Sequence, residues 1–171
     1  MSSNPRFEIK LKERNLENIA PPPDDPLGEL SDFELGIRKF CYEYDRQVSV
    51  RVSHEEHIVF LDPDICMIIE DNLPKLIAEI EKGQAIELEF AESCWIIIKL
   101  VPNGNGIKCY LREFGYSTDE KLVFLNKQQV LDELKGFLIE LMDMAVNLGY
   151  IRLEDKNDFI KPAFSDSRVL V

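Results

Sequence analysis

Two histidines flank two glutamates at residues 54–57, and imidazole and carboxylate are side-chain types that bind zinc. Helical metalloproteases place their two histidines four residues apart on one helix face, whereas His54 and His57 are three apart. Valines alternate with polar residues over 48–52, which predicts a strand, and residues three apart on a strand point to opposite faces. We therefore expect a solvated hairpin turn at 54–57. A metal-dependent or small-molecule enzyme centred on His54 and His57 is the alternative hypothesis.

Oxygen-bearing side chains are also dense over 62–72, where they would suit calcium. The calcium-binding loop of EF-hands needs a glycine at its sixth position, and Cys66 and Met67 occupy the middle of this segment instead. Asp62 before Pro63 is typical of a strand end followed by a helix cap. We interpret these residues as structural, and the sequence predicts no cofactor.

Nucleophile and phosphate-binding motifs are missing, because the chain has no GxSxG, GxxxxGK[ST] or GxGxxG segment. Its four cysteines, Cys41, Cys66, Cys94 and Cys109, are scattered in apolar stretches without a CxxC pair. This usage predicts free, mostly buried thiols in a reducing cytoplasm. An enzyme is not favoured.

The negative charge of the chain is concentrated in one segment. Lys and Arg number 20 against 32 Asp and Glu, a formal net charge of −12, which disfavours nucleic acid and anionic membranes as partners. Eleven acidic and two basic residues lie between Glu55 and Glu92. A concentrated negative field speeds association with a basic protein. The candidate partner-binding residues are Glu79, Glu81, Glu87, Glu89 and, as an aromatic anchor, Trp95. The alternative is a solvated face that keeps the protein soluble.

The elements that must position these residues follow from hydrophobic periodicity. Period-two alternation predicts an edge strand over 6–11, strands over 31–44 and a hairpin over 47–61. Residues 64–70 fit either a helical turn or a strand. A helix is expected from Asp71-Asn72 to about Lys82, followed by a strand meander with a tight hairpin at 102–106. Asn126 and Gln129 predict a capping box that opens a long final helix.

This order predicts an α+β fold in which an antiparallel sheet of hairpins carries two main helices on one face. We divide the chain into an N-terminal arm with a proline-rich connector (1–30), a single α+β domain (31–151) and a loosely attached charged tail (152–171). A chain of 171 residues buries enough surface to fold without metal or disulfide. The N-terminus lacks the apolar core of a secretory signal, and no apolar run reaches membrane-spanning length. We therefore expect a cytoplasmic protein.

In composition and element order the chain resembles the small acidic α+β immunity proteins that neutralise toxins. The resemblance implies a non-catalytic bacterial inhibitor that docks a basic partner through the acidic 55–92 surface. A third hypothesis is a structural subunit that forms a homodimer through the exposed meander edge or the long helix.

Overall fold

Seven strands and five helices make up the part of the chain that the computed structural model describes, which is residues 4–14, 22–114 and 119–164. The predicted connector begins outside these residues, at 20 and 21, and the end of the predicted tail, 165–171, also lies outside them. In chain order the elements are β1 (Phe7–Arg14), α1 (Asp32–Glu43), β2 (Arg46–Val52), β3 (Glu55–Phe60), a π-helical turn (Leu61–Ile65), α2 (Cys66–Glu70), α3 (Leu73–Glu81), β4 (Ile86–Phe90), β5 (Ile96–Asn103), β6 (Gly106–Glu113), β7 (Glu120–Asn126), α4 (Lys127–Asn147) and α5 (Leu153–Phe164).

The strands form two antiparallel sheets. Sheet A has the order β1-β2-β3 and sheet B the order β4-β5-β6-β7. One apolar core joins the inner faces of both sheets to the helices. The α+β antiparallel class is thus confirmed, whereas a single sheet with two helices on one face is not, because the described residues form two sheets and five helices.

Both tight hairpins are present, but the first turn lies at residues 53–54 and not at the predicted 54–57. Val52 pairs with Glu55 across a two-residue turn, so Glu55 to His57 belong to strand β3 and the turn is only Ser53-His54. Asn103 pairs with Gly106, and Gly104 takes a φ of 62° in the turn between β5 and β6. Asn and Gly suit this position because they tolerate positive φ with little strain.

Residues 32–43 form helix α1, so the prediction of strands over 31–44 is wrong. The Ser31 hydroxyl accepts a hydrogen bond from the Glu34 backbone N–H, which caps the helix start. The buried side of the helix consists of Gly36, Ile37, Phe40 and Cys41, a helical spacing. Phe33 and Leu35 alternate with polar residues as in a strand. Both are only half-buried, however, so this alternation does not mark the face that packs on the core.

The undecided segment 64–70 is helical. It begins in the π-helical turn Leu61–Ile65 and continues as α2, which buries Cys66, Ile68 and Ile69. The next helix, α3, is confirmed: Asn72 caps it by accepting from the Lys75 N–H, and Gly83 follows its end with a φ of 88°.

Helix α4 begins as predicted, with Asn126 accepting from the Gln129 N–H. The Gln129 side chain does not close a capping box. It accepts from the Phe7 N–H (2.9 Å) and donates to the Phe7 carbonyl (2.6 Å), while Glu133 accepts from the Ile9 N–H (3.0 Å). These side chains occupy backbone groups of the edge strand β1, where a further strand would otherwise bind.

We expect Gln129→Ala to lower the free energy of unfolding by about 1–2 kcal/mol, because two partly buried hydrogen bonds to Phe7 are lost. Amide hydrogen exchange at Phe7 should accelerate. The control is Gln128→Ala, since the Gln128 side chain is exposed and bonds to Asp132 one turn along the same helix. Equal stability and equal Phe7 exchange in the two variants would contradict the role of Gln129.

The C-terminal segment contains a helix that the periodicity did not indicate. Helix α5 packs against α3 and α4, and its Ala163 is buried. The Phe159 ring lies 4.9 Å from that of Phe33 on α1. Among the described helices, none combines the length and the apolar character that crossing a membrane requires.

Candidate functional site

The two histidines of the 54–57 segment lie in different grooves. His54 is exposed in the β2–β3 turn and lines a groove of about 200 Å³ with Arg6, Arg51 and neighbours. His57, on β3, lines a groove of about 190 Å³ between the two sheets. Its Nε2 lies 3.5 Å from Glu55 Oε2. The segment therefore does not present its two imidazoles to one site.

An ion pair holds Glu55 in the groove that His57 lines. Its carboxylate is hydrogen-bonded to the Lys121 ammonium on β7, and this bond, with His57 adding to it, lowers the pKa of Glu55. The same partner raises the pKa of Lys121. Among the described residues, no group of three or more His, Cys, Asp or Glu side chains is arranged to hold a metal ion. The metal hypothesis gains no further ligand here.

Asp64 is a buried carboxylate that the sequence did not single out as an anchor. It is 2% exposed, and it accepts hydrogen bonds from the backbone N–H groups of Glu92 (3.2 Å) and Ser93 (2.8 Å). The Ser93 hydroxyl in turn accepts from the Phe60 N–H at the end of β3. The π-helical turn, the β4–β5 connection and sheet A are thus tied together. The sequence carried no signal for this role, because Asp64 follows Asp62 and Pro63 in a segment typical of a strand end and a helix cap.

The connection fixed by Asp64 ends at Trp95. Trp95 has a φ of 59°, a left-handed conformation that costs a non-glycine residue about 1–2 kcal/mol. Its backbone is bonded on both sides, with its N–H donating to the Phe90 carbonyl (2.9 Å) and its carbonyl accepting from the Phe114 N–H (2.8 Å). Its side chain is nevertheless 63% exposed. A rigid turn therefore presents an indole to solvent, and strained backbone of this kind concentrates at functional positions.

The structure divides the predicted partner-binding residues into two groups. Glu87 and Glu89 are exposed on β4, whose alternate residues Ile86, Leu88 and Phe90 face the core and helix α3. Glu89 pairs with Ile97, two residues along the chain from Trp95, and Glu87 pairs with Lys99, four residues from Trp95. Glu79 and Glu81 belong to α3, on the other side of the sheet, and Glu81 forms an ion pair with Lys135 of α4. The five residues are not one surface.

Folding also offsets much of the negative charge of the 55–92 segment. Four of its glutamates form ion pairs with basic residues from other parts of the chain, and the pairs are Glu55–Lys121, Glu56–Arg51, Glu70–Arg38 and Glu81–Lys135. The exposed acidic residues that remain next to one another are Glu87, Glu89 and Glu92. Together with Trp95 we call these residues the β4-turn surface.

A second exposed group was not recognised from the sequence. The face of sheet B that points away from the core, its outer face, carries Leu122 (45% exposed) and Phe124 (62% exposed) on β7. Tyr110 pairs with Leu122 and Lys108 with Phe124 on the neighbouring strand. The alternation of Leu122 and Phe124 about Val123 was the signal for it.

All four cysteines are free, as predicted, and only Cys94 is more than marginally exposed. Burial raises the pKa of Cys109 to about 12, and burial with the nearby Asp64 raises that of Cys94 to about 11. The neighbouring Cys66 thiol and burial raise the pKa of Cys41 well above its usual value. None of these three thiols is activated as a nucleophile.

These pKa values predict a loss of stability at alkaline pH. The Cys109 thiol keeps its proton more tightly in the folded protein than at its ordinary pKa of 9.0, so its stabilising contribution is complete below pH 9.0 and is lost as the pH rises towards about 12. We expect the free energy of unfolding to fall above pH 9.0. Urea titrations at several pH values should give a shallower decline for Cys109→Val. An identical slope in the variant would contradict the assignment.

Comparison of the chain with known protein family models, with curated proteins and with solved structures finds no match.

Proposed function

We propose that this protein is a non-catalytic protein-binding module that docks a basic partner through the β4-turn surface. The observation that carries the proposal is Trp95, an indole 63% exposed on a strained turn that the buried Asp64 holds in place. Trp side chains supply much of the binding energy of protein interfaces when a partner buries them. Preorganisation of the turn reduces the entropy lost on binding.

The carboxylates beside Trp95 define the chemistry of the partner. Glu87 and Glu89 are exposed on β4, and Glu92 is exposed in the turn itself. Lys99 of β5 pairs with Glu87, which leaves the surface acidic towards the β4 edge. Exposed carboxylates on β4 and in the turn that carries the aromatic anchor favour a partner rich in Lys and Arg, with association that weakens as salt increases. Inhibition of a basic toxin in a bacterial cytoplasm would be one such role.

Charge reversal tests the proposal. The double variant Glu87→Lys/Glu89→Lys should lose a basic partner captured from a lysate of the source cell and identified by mass spectrometry, with affinity falling at least about tenfold. The matched control is Asp132→Lys/Glu140→Lys, which changes the net charge equally on the exposed side of α4. Salt should release the partner from the wild type and from the control. Equal capture by both double variants, or no capture by the wild type, would contradict the proposal.

A second variant separates binding from folding. Trp95→Gly removes the indole and places at this position the residue that best tolerates positive φ. We expect its melting temperature to stay close to that of the wild type while partner binding is lost. A variant that binds normally would remove Trp95 from the interface.

A further inference from the structure

Among the described residues, the outer edge of strand β7 has no pairing strand. β7 is the last strand of sheet B, and the structure gives its backbone no hydrogen bond to described residues beyond its pairing with β6. The edge strand of sheet A, β1, is protected. The side chains of Gln129 and Glu133 bind backbone groups of Phe7 and Ile9. Side chains of α4 thus cover the edge of β1, whereas no residue in the described part of the chain covers that of β7.

The open edge is also apolar on its outer face. Leu122 and Phe124 are two of the large apolar side chains that the described structure leaves exposed, and they are neighbours on the same face of β7. Edge strands that avoid pairing carry an outward lysine, a proline or a bulge. β7 has no proline, its pairing with β6 is regular from Glu120 to Asn126, and its Lys121 is engaged with Glu55.

The sequence of β7 is complementary to itself. A second copy placed antiparallel about Val123 sets Leu122 opposite Phe124 of the second copy, and Phe124 opposite its Leu122. In this register Glu120 faces Asn126 and Lys121 faces Leu125, so no two like charges are directly opposed. A two-residue shift keeps only one apolar pair on this face, Leu122 with Leu122 or Phe124 with Phe124. It sets the other apolar side chain opposite Glu120 or Asn126. Cross-strand apolar pairs are the main stabilising contacts between neighbouring strands.

We propose that β7 is the interface at which a second copy of this chain binds, joining the two B sheets into one continuous eight-stranded sheet. The two-fold axis passes through Val123, as the isologous contact of a cyclic dimer requires.

Charges near the edge are mixed, with Lys108, Arg112 and Lys121 against Glu120. The net charge of −12 on each copy opposes association, so salt should strengthen the dimer. Binding of a basic partner to the β4-turn surface should instead weaken as salt increases. An experiment can therefore reject either proposal without rejecting the other.

The test is the oligomeric state of the purified full chain, measured by sedimentation equilibrium over an about 100-fold range of concentration at low and high salt. We expect a monomer–dimer equilibrium that tightens with salt and that Phe124→Lys weakens at least about tenfold. The control Leu148→Lys adds the same charge at another exposed apolar position and should leave the equilibrium unchanged. A monomer at every concentration, or a dimer that Phe124→Lys does not weaken, overturns the proposal.

Hydrogen exchange of the wild type provides a second measurement that needs no variant. The amides of residues 120–126 should become more protected as concentration rises, while those of β1 should not change. Dimerisation without added protection in 120–126 would place the interface elsewhere and overturn the proposal, even where Phe124→Lys fails to fold.

Discussion

Replacing Gly36 by alanine is expected to lower the free energy of unfolding by about 3 kcal/mol or more. A Cβ at this position would lie 2.2 Å from the carbonyl oxygen of Tyr150 and 3.1 Å from Cγ2 of Ile151. Because the nearer atom belongs to the backbone, the clash cannot be relieved by rotating a side chain. Helix α1 would have to move away from the segment that joins α4 to α5.

A second glycine provides the matched control. Gly136 lies within helix α4, and a Cβ built there meets no atom within 4 Å. Gly136→Ala is therefore expected to stabilise the protein by about 0.5–1 kcal/mol through helix propensity alone. Urea denaturation followed by circular dichroism measures both variants. A Gly36→Ala variant as stable as the wild type would mean that α1 does not contact Tyr150.

Truncation of Asp64 is the second change expected to have a large effect. Asp64→Ala should cost about 3 kcal/mol, because two backbone N–H groups lose a buried charged acceptor at 2.8 Å and 3.2 Å. The exposed Asp71→Ala is the control, with an expected change within about 0.5 kcal/mol. Thermal and urea unfolding give both values. Equal stability of the two variants would show that the carboxylate does not hold the turn.

Asp64 also links stability to the proposed binding surface. Asp64→Asn keeps the size of the side chain but presents an amide N–H₂ to one of the two N–H donors, so we expect an intermediate loss of stability. Because Asp64 lies beneath the turn and does not belong to the β4-turn surface, any loss of partner binding would come from the released turn. Measured on the folded fraction, normal binding by Asp64→Asn would separate the anchor from the interface.

The elements predicted correctly are those whose boundaries depend on neighbouring residues. Asn72 and Gly83 delimit α3, and Asn126 opens α4, because capping is local. Helix α1 also has a local start signal, the Ser31 hydroxyl that accepts from the Glu34 N–H, but the period-two alternation of the segment outweighed it in the prediction. The division into two sheets depends on long-range pairing, which hydrophobic periodicity does not report.

The candidate site shows the same contrast between local signals and long-range contacts. Residue type and strand alternation singled out Trp95, Glu87 and Glu89 as candidates, and all three are exposed. Sequence reasoning could not foresee that Lys121 and Lys135, from later in the chain, neutralise Glu55 and Glu81. It also missed Asp64, whose importance comes from the two backbone groups it accepts, and backbone hydrogen bonds have no side-chain signature.

The contact between Gln129 and the first strand has a consequence for the order of folding. Phe7 and Gln129 are separated by 122 positions, and Ile9 and Glu133 by 124, so β1 cannot gain these bonds until most of the chain has been synthesised. Contacts of such separation form late, because loop closure must precede them. During translation the edge of β1 stays available to other chains, and a nascent protein that stalls before α4 would be most prone to aggregate there. Strand β1 thus leaves the ribosome long before the residues that cover its edge.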